Sequence, residues 1–255
     1  MVYEVYAGGI HAVQARLDID TGTDGRYNLV LAAKTRGFLG SIVPWEGTFE
    51  SHGWALPGPE YRPELHKSSS VFRDEGEIKE YRYTQDKKFL SLITTEHGKS
   101  PAQKDLEDAL TQGTTDALTA TLQVLQTVGD GNPCAGSSEV FDGDRRFQQI
   151  FSDQGTVQLE NSKYNIFRGA AAECTVEIIP ITGKWHTKPR GWLSIQEQGR
   201  AKGTMPTVWM AKLDANGPAV PVKIRVKTDY GVLFMHLAEY RSDTQLVTAE
   251  KRAPD

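Results

Sequence analysis

The sequence predicts a mainly β protein: a single large curved antiparallel sheet, a half-barrel or β-spiral, with one or two helices packed on its concave side. Three observations carry this. Apolar and polar residues alternate strictly in several short runs, the pattern of strands with one wet face. Gly- and Asp-rich turns separate runs that lie close along the chain, as hairpins require. Only one segment has a convincing helical period, whereas parallel βαβ units would need many helices, so the sheet is antiparallel and curved or partly closed.

A strand begins almost at the N-terminus, at Tyr3, Val5 and Ile10. Val13, Ala15, Leu17 and Ile19 then alternate with Gln14, Arg16, Asp18 and Asp20. The alternation returns in Tyr27, Leu29, Leu31 and Ala33, and Thr21-Gly22-Thr23-Asp24-Gly25 between the two runs reads as a hairpin loop. Further strands are expected at 77–84, 88–95, 146–151, 156–160, 192–196 and 207–213. Near the C-terminus Val222, Ile224 and Val226 face away from Lys223, Arg225 and Lys227, and Asp229-Tyr230-Gly231 turns the chain into a last strand over 232–238. The helix is expected at 116–125, where Leu118, Leu122 and Leu125 share one face. Thr114 or Thr115 can cap it, and Gly129 ends it. Ser100-Pro101-Ala102-Gln103 is a weaker helix start with proline at the first helical position. With no low-complexity linker and no internal repeat, residues 1–255 read as one domain.

A net charge of −4 with both signs interspersed argues against nucleic acid as a partner, which would call for a basic stripe. No run approaches the roughly 18 apolar residues of a membrane span. The N-terminus lacks the basic and apolar regions of a signal peptide; an export signal removed ahead of Met1 is expected, with a cytosolic start as the alternative. The two cysteines, Cys134 and Cys174, have no second Cys or His at metal-ligand spacing. A disulfide between them fits an oxidising compartment and would contribute ~3–4 kcal/mol in the chain-entropy model. Two unpaired thiols are the alternative.

The order of short motifs carries a resemblance. An opening strand pair Tyr3-Glu4-Val5-Tyr6-Ala7-Gly8-Gly9-Ile10 and 27–34 is followed by Thr35-Arg36-Gly37-Phe38-Leu39-Gly40-Ser41 and Tyr61-Arg62-Pro63. The helix at Asp116, the hairpin Val140-Phe141-Asp142-Gly143, Cys174, Val208-Trp209-Met210 and Val220-Pro221-Val222 come after. Over nearly the whole chain this resembles the bacterial family of unknown function labelled DUF3108. The resemblance implies an exported periplasmic envelope protein, with an architecture similar to the lipoprotein carriers LolA and LolB and the sensor RseB. It brings no catalytic residues.

The chemical motifs are weak. Gly98-Lys99-Ser100 looks like the end of a phosphate-binding loop, but Ile93 stands where its first glycine should be. The segment Asp20–Gly25 begins like a calcium loop, yet Gly22 and Leu31 occupy ligand positions. The histidines, His11, His52, His66, His97, His186 and His236, form no metal or catalytic pattern, and no serine lies in a nucleophile elbow. Carboxylates such as Glu75 and Glu77, or Asp142 and Asp144, read as solvated turns and strand ends. No enzyme, no metal and no cofactor are expected.

The segment Phe38, Leu39, Ile42, Val43 and Trp45 is apolar without alternation, and its glycine and proline neighbours argue against a long regular element. It reads either as a loop plugging the end of the core or as a lip over an apolar groove. Leu118, Leu122 and Leu125 of the helix, with Trp209 and Phe234, would line that groove, though each fits a filled core as well. The expected function is binding of a lipid, lipoprotein or other amphiphile in the periplasm. The alternatives are a structural or sensory protein docking another envelope protein through its sheet surface, and, third, an envelope hydrolase.

Overall fold

The computed structural model describes residues 1–22, 24–188, 192–215, 217–228, 231–242 and 245–252. Seven strands form a meander in which each pairs antiparallel with the next: β1 (Val2–Ala7), β2 (Ile10–Asp20), β3 (Arg26–Thr35), β4 (Trp45–Leu56), β5 (Glu60–Phe72), β6 (Glu75–Tyr83) and β7 (Phe89–Glu96). The short β8 (Ala102–Gln103) adds to its end. A second arm runs through β9 (Gly136–Phe141), β10 (Arg145–Leu159), β11 (Gly169–Gly183), β12 (Thr207–Lys212), β13 (Ala219–Thr228) and β14 (Gly231–Arg241). Pairing of β14 with β1 joins the arms, and β15 (Leu246–Thr248) extends β14. The result is one 15-stranded antiparallel sheet whose path ends at β8 and β9 without closing.

Side-chain alternation makes this ribbon wrap. The inner positions Tyr3, Leu17, Tyr27, Leu29, Tyr61 and Leu237 are buried around Leu122 of α3 (Ala117–Gly129). On the same helix Val124 and Leu125 pack on Phe151, Val208 and Met210. One helix thus fills the inside of both arms. Asp116 caps it, accepting from the amides of Leu118 and Thr119 at 3.0 and 2.9 Å. The cap is neither Thr114 nor Thr115: the Thr115 backbone is occupied with Glu139 and Phe141 of β9.

Side chains seal what the backbone leaves open. Phe141 of β9 meets Tyr81 and Phe89 edge to face, and the Tyr81 hydroxyl donates to the Asp142 carbonyl at 2.8 Å. The disulfide Cys134–Cys174 ties the segment after α3 to β11, with both cysteines fully buried.

Four further expectations are corrected. Residues 192–196 are not a strand but the start of α4 (Trp192–Ala201). Pairing of β11 with β12 covers only Ala172 to Thr175, and further along the same edge the buried Gln196 takes the partner's place: its side chain accepts from Ile178 N at 2.6 Å and donates to Ile178 O at 2.9 Å. Residues 100–103 start no helix, because Ala102 and Gln103 pair with Thr94 and Ile93; the next helix is α2 (Asp108–Thr111). The run from Tyr3 to Ile10 is broken by a turn at Gly8 and Gly9, both with positive φ, so β2 lies between β1 and β3. The expected strands at 146–151 and 156–160 merge into β10. Within the two expected turns, Thr23, Asp229 and Tyr230 lie outside the described residues. Among the described residues no helix is long and apolar enough to cross a membrane.

Candidate functional site: an outer trough ending at an apolar rim

Inside the sheet, the chemistry-bearing side chains are committed to the fold. The Ser51 hydroxyl donates to Asp116 Oδ1 at 2.7 Å and lies 2.7 Å from His66 Nδ1. The Thr119 hydroxyl donates to Asp116 Oδ2 at 2.6 Å, and Tyr27 Oη is 2.6 Å from Thr119 Oγ1. Burial, reinforced by the Asp116 charge, raises the Tyr27 pKa, so the phenol stays protonated. Serine, histidine and aspartate meet here, but serine bridges the other two, whereas a catalytic triad needs the histidine between them. Ser51 has no exposed surface, so its oxygen cannot reach a substrate. The cluster locks the start of α3 to β4 and β5. Among the described residues no group of three or more His, Cys, Asp or Glu could hold a metal ion.

The structure distributes the expected groove residues over three places. Phe38, Leu39 and Ile42 form α1 (Gly37–Ile42), followed by Val43 and Trp45, on the rim where β3 passes to β4. This is neither a plug nor a loop: α1 contains no buried residue, and Phe38 and Ile42 are 71 and 51 % exposed. Leu122 and Leu125 are closed in the core, and Leu118 is half-buried, so α3 fills the concavity that a groove would need. Trp209 and Phe234 flank Lys223, whose ammonium lies 5.2 and 5.4 Å from their ring centroids. Lys223 pairs with His236, His236 with Glu4 and Glu4 with Gln14, which places them on the sheet face opposite α3. Burial, with Lys223 adding to it, lowers the His236 pKa to about 4.

That outer face carries the trough. The register aligns Arg16, Ala32, Thr48 and Ser69 across β2 to β5, and Gln14, Lys34, Glu46 and Val71 beside them. Because Ala32, Thr48 and Ser69 are short, the space above them is a depression of about 390 Å³. It shares Gln14, Arg16 and Lys34 with a neighbouring depression of about 480 Å³, walled by Arg36, Arg241 and Arg252. In the other direction it shares Glu46 and Val71 with a shallower space of about 220 Å³ bounded by Gly40, Pro44, Trp45 and Arg73. The trough is therefore basic on the side of β1 and β2, and on the side of β4 and β5 it ends at Gly40, Pro44, Trp45 and Arg73, beside the segment that carries α1.

Local pairing sets its charge. Arg16 pairs with Asp18 at 2.8 Å, and Glu239 serves both Arg252 and Arg241. Arg36 Nη2 donates to Gln14 Oε1 at 2.5 Å, and Gln14 donates to the fully buried Glu4 at 3.1 Å. His11 Nε2 lies 2.5 Å from the second Glu4 oxygen. Sequence reading marked Arg16 only as part of a wet face. Arg36, Arg241 and Arg252 come together through cross-strand register and the chain's return, which no local spacing displays.

The profile of a family described as a protein of unknown function, DUF3108, matches residues 2–238. The chain belongs to that family. No match was found among curated proteins or among solved structures. For this DUF3108 chain the route to function therefore runs through the trough and rim themselves.

Proposed function

We propose that this DUF3108 protein is a non-enzymatic periplasmic envelope protein that binds a lipid or other acyl-bearing amphiphile, with the chain seated on the apolar rim at α1. One observation carries the reading: α1 has no fully buried residue, and Phe38, Ile42 and the following Val43 are exposed to solvent beside Trp45 and the end of the trough. Leu39 and Gly40 are half-buried against the sheet, so the exposure of Phe38 and Ile42 gains nothing within the fold, and exposed apolar clusters mark binding surfaces. Support for the envelope comes from the buried disulfide, which suits an oxidising compartment. Support for binding without catalysis comes from the closed Ser51–His66–Asp116 cluster. No solved structure stands behind the expected likeness to LolA, LolB or RseB, and the reading does not rest on it.

Native mass spectrometry of the disulfide-intact protein purified from an envelope fraction tests this. The expected result is a co-purifying acyl-bearing species that is lost in a Phe38→Ser, Ile42→Ser variant. Bare protein in both preparations would sink the reading.

A further inference from the structure

The trough has a charge asymmetry that the rim alone does not explain. Its basic end is lined by Arg16, Lys34, Arg36, Arg241 and Arg252, against Asp18 and Glu239. This sits on a chain whose net charge is −4, so the positive field is local. Three of these cations have carboxylate partners, as described above. Lys34 and Arg36 have none within 4.0 Å among the described residues. Lys34 does stand opposite Glu46 in the strand register, yet the two form no ion pair. Arg36 lines the depression with Nη2 held by Gln14 and with Nε buried, so its charge has no carboxylate partner there.

Resting on the amphiphile reading and deepening it, we propose that the trough recognises the phosphate of an anionic lipid headgroup, with Lys34 and Arg36 as its contacts. A guanidinium and an ammonium lining one depression are a donor set that suits phosphate oxygens. The depression of about 480 Å³ is of headgroup size. Arg36 is also the residue immediately before α1, so an anion held there lies next to the surface that would take the acyl chain. A free anion would use the basic end alone; continuity with the apolar rim selects an amphiphile.

Titration calorimetry distinguishes the arms, using a short-chain phosphatidic acid below its micelle concentration, phosphatidylcholine of the same chain length, and inorganic phosphate. The phosphatidic acid is expected to bind about tenfold more tightly than the phosphatidylcholine, the worth of one or two charge-assisted hydrogen bonds. The Lys34→Gln, Arg36→Gln double variant should erase that preference, Arg36→Lys should keep most of it, and inorganic phosphate should bind far more weakly. Equal binding of the two lipids, weakened only by Phe38→Ser, would overturn the headgroup inference while leaving the rim reading intact. Binding of neither lipid would overturn both. Inorganic phosphate binding as tightly as the lipid would replace the lipid with a free-anion site.

Discussion

At the scale of single residues, His236 is one of several buried polar groups without a hydrogen-bond partner. Its ring stacks on Phe234 and Tyr164, Nδ1 is buried without a partner, and burial with Lys223 lowers its pKa to about 4. An unfolded histidine titrates near 6.5. Between those values the unfolded chain holds the proton and the folded chain does not, so acid favours unfolding. Stability should be full at neutral pH and fall as pH drops from about 6.5 towards 4. The slope is bounded by about 1.4 kcal/mol per pH unit for one proton and reduced by the group's partial exposure. Denaturant midpoints at several pH values, compared with His236→Phe, check this. The variant should flatten that part of the acid limb, and parallel curves would show that another group carries it.

At the scale of elements, two apolar segments that look alike in composition have opposite roles. The run from Phe38 to Val43 and the face of α3 are both rich in large apolar residues, but only α3 is enclosed. Leu122→Ala should cost about 2–5 kcal/mol, the range for emptying a packed core site. Phe38→Ser with Ile42→Ser should leave stability within about 0.5 kcal/mol, as for surface positions. Urea unfolding of both variants separates the cases, and a large loss in the rim variant would mean that α1 is structural. The period of Leu118, Leu122 and Leu125 made α3 legible, whereas its cap was not, because Asp116 and the two threonines before it are all competent cap residues. What selects Asp116 is the distant pairing of Thr115 with β9 and of Ser51 with the carboxylate. Residues 192–196 show the same limit: their alternation suits a strand, and only the free edge of β11, answered by Gln196, makes a helix the better partner.

At the scale of the whole molecule, alternation and turns made the sheet legible, since a half-buried strand writes its period into the sequence. The meeting of the N-terminal strand with β14 was not legible, and the trough follows from that meeting, because its basic end needs β14 beside β1 and β2. Local pattern gives strands, whereas non-local order decides which cations become neighbours. The same long-range closure makes the disulfide count. Cys134 and Cys174 are 40 residues apart, and the bond joins the segment leaving α3 to the middle of β11, spanning the part of the sheet that includes its open end at β9. In the chain-entropy model a loop of that length removes about 4 kcal/mol from the unfolded ensemble. Reduction should therefore lower the unfolding free energy by about that amount, read as a lower denaturant midpoint, without changing the pairing of β1 with β14, which lies outside the closed loop. Unfolding with and without reductant, with amide exchange read at β1 and at β9, checks both halves. The expected result is a lower midpoint, with β9 losing protection before β1. An unchanged midpoint would show that the packing of Val124, Leu125 and Met210 around the sulfurs, rather than the covalent link, holds that end of the sheet.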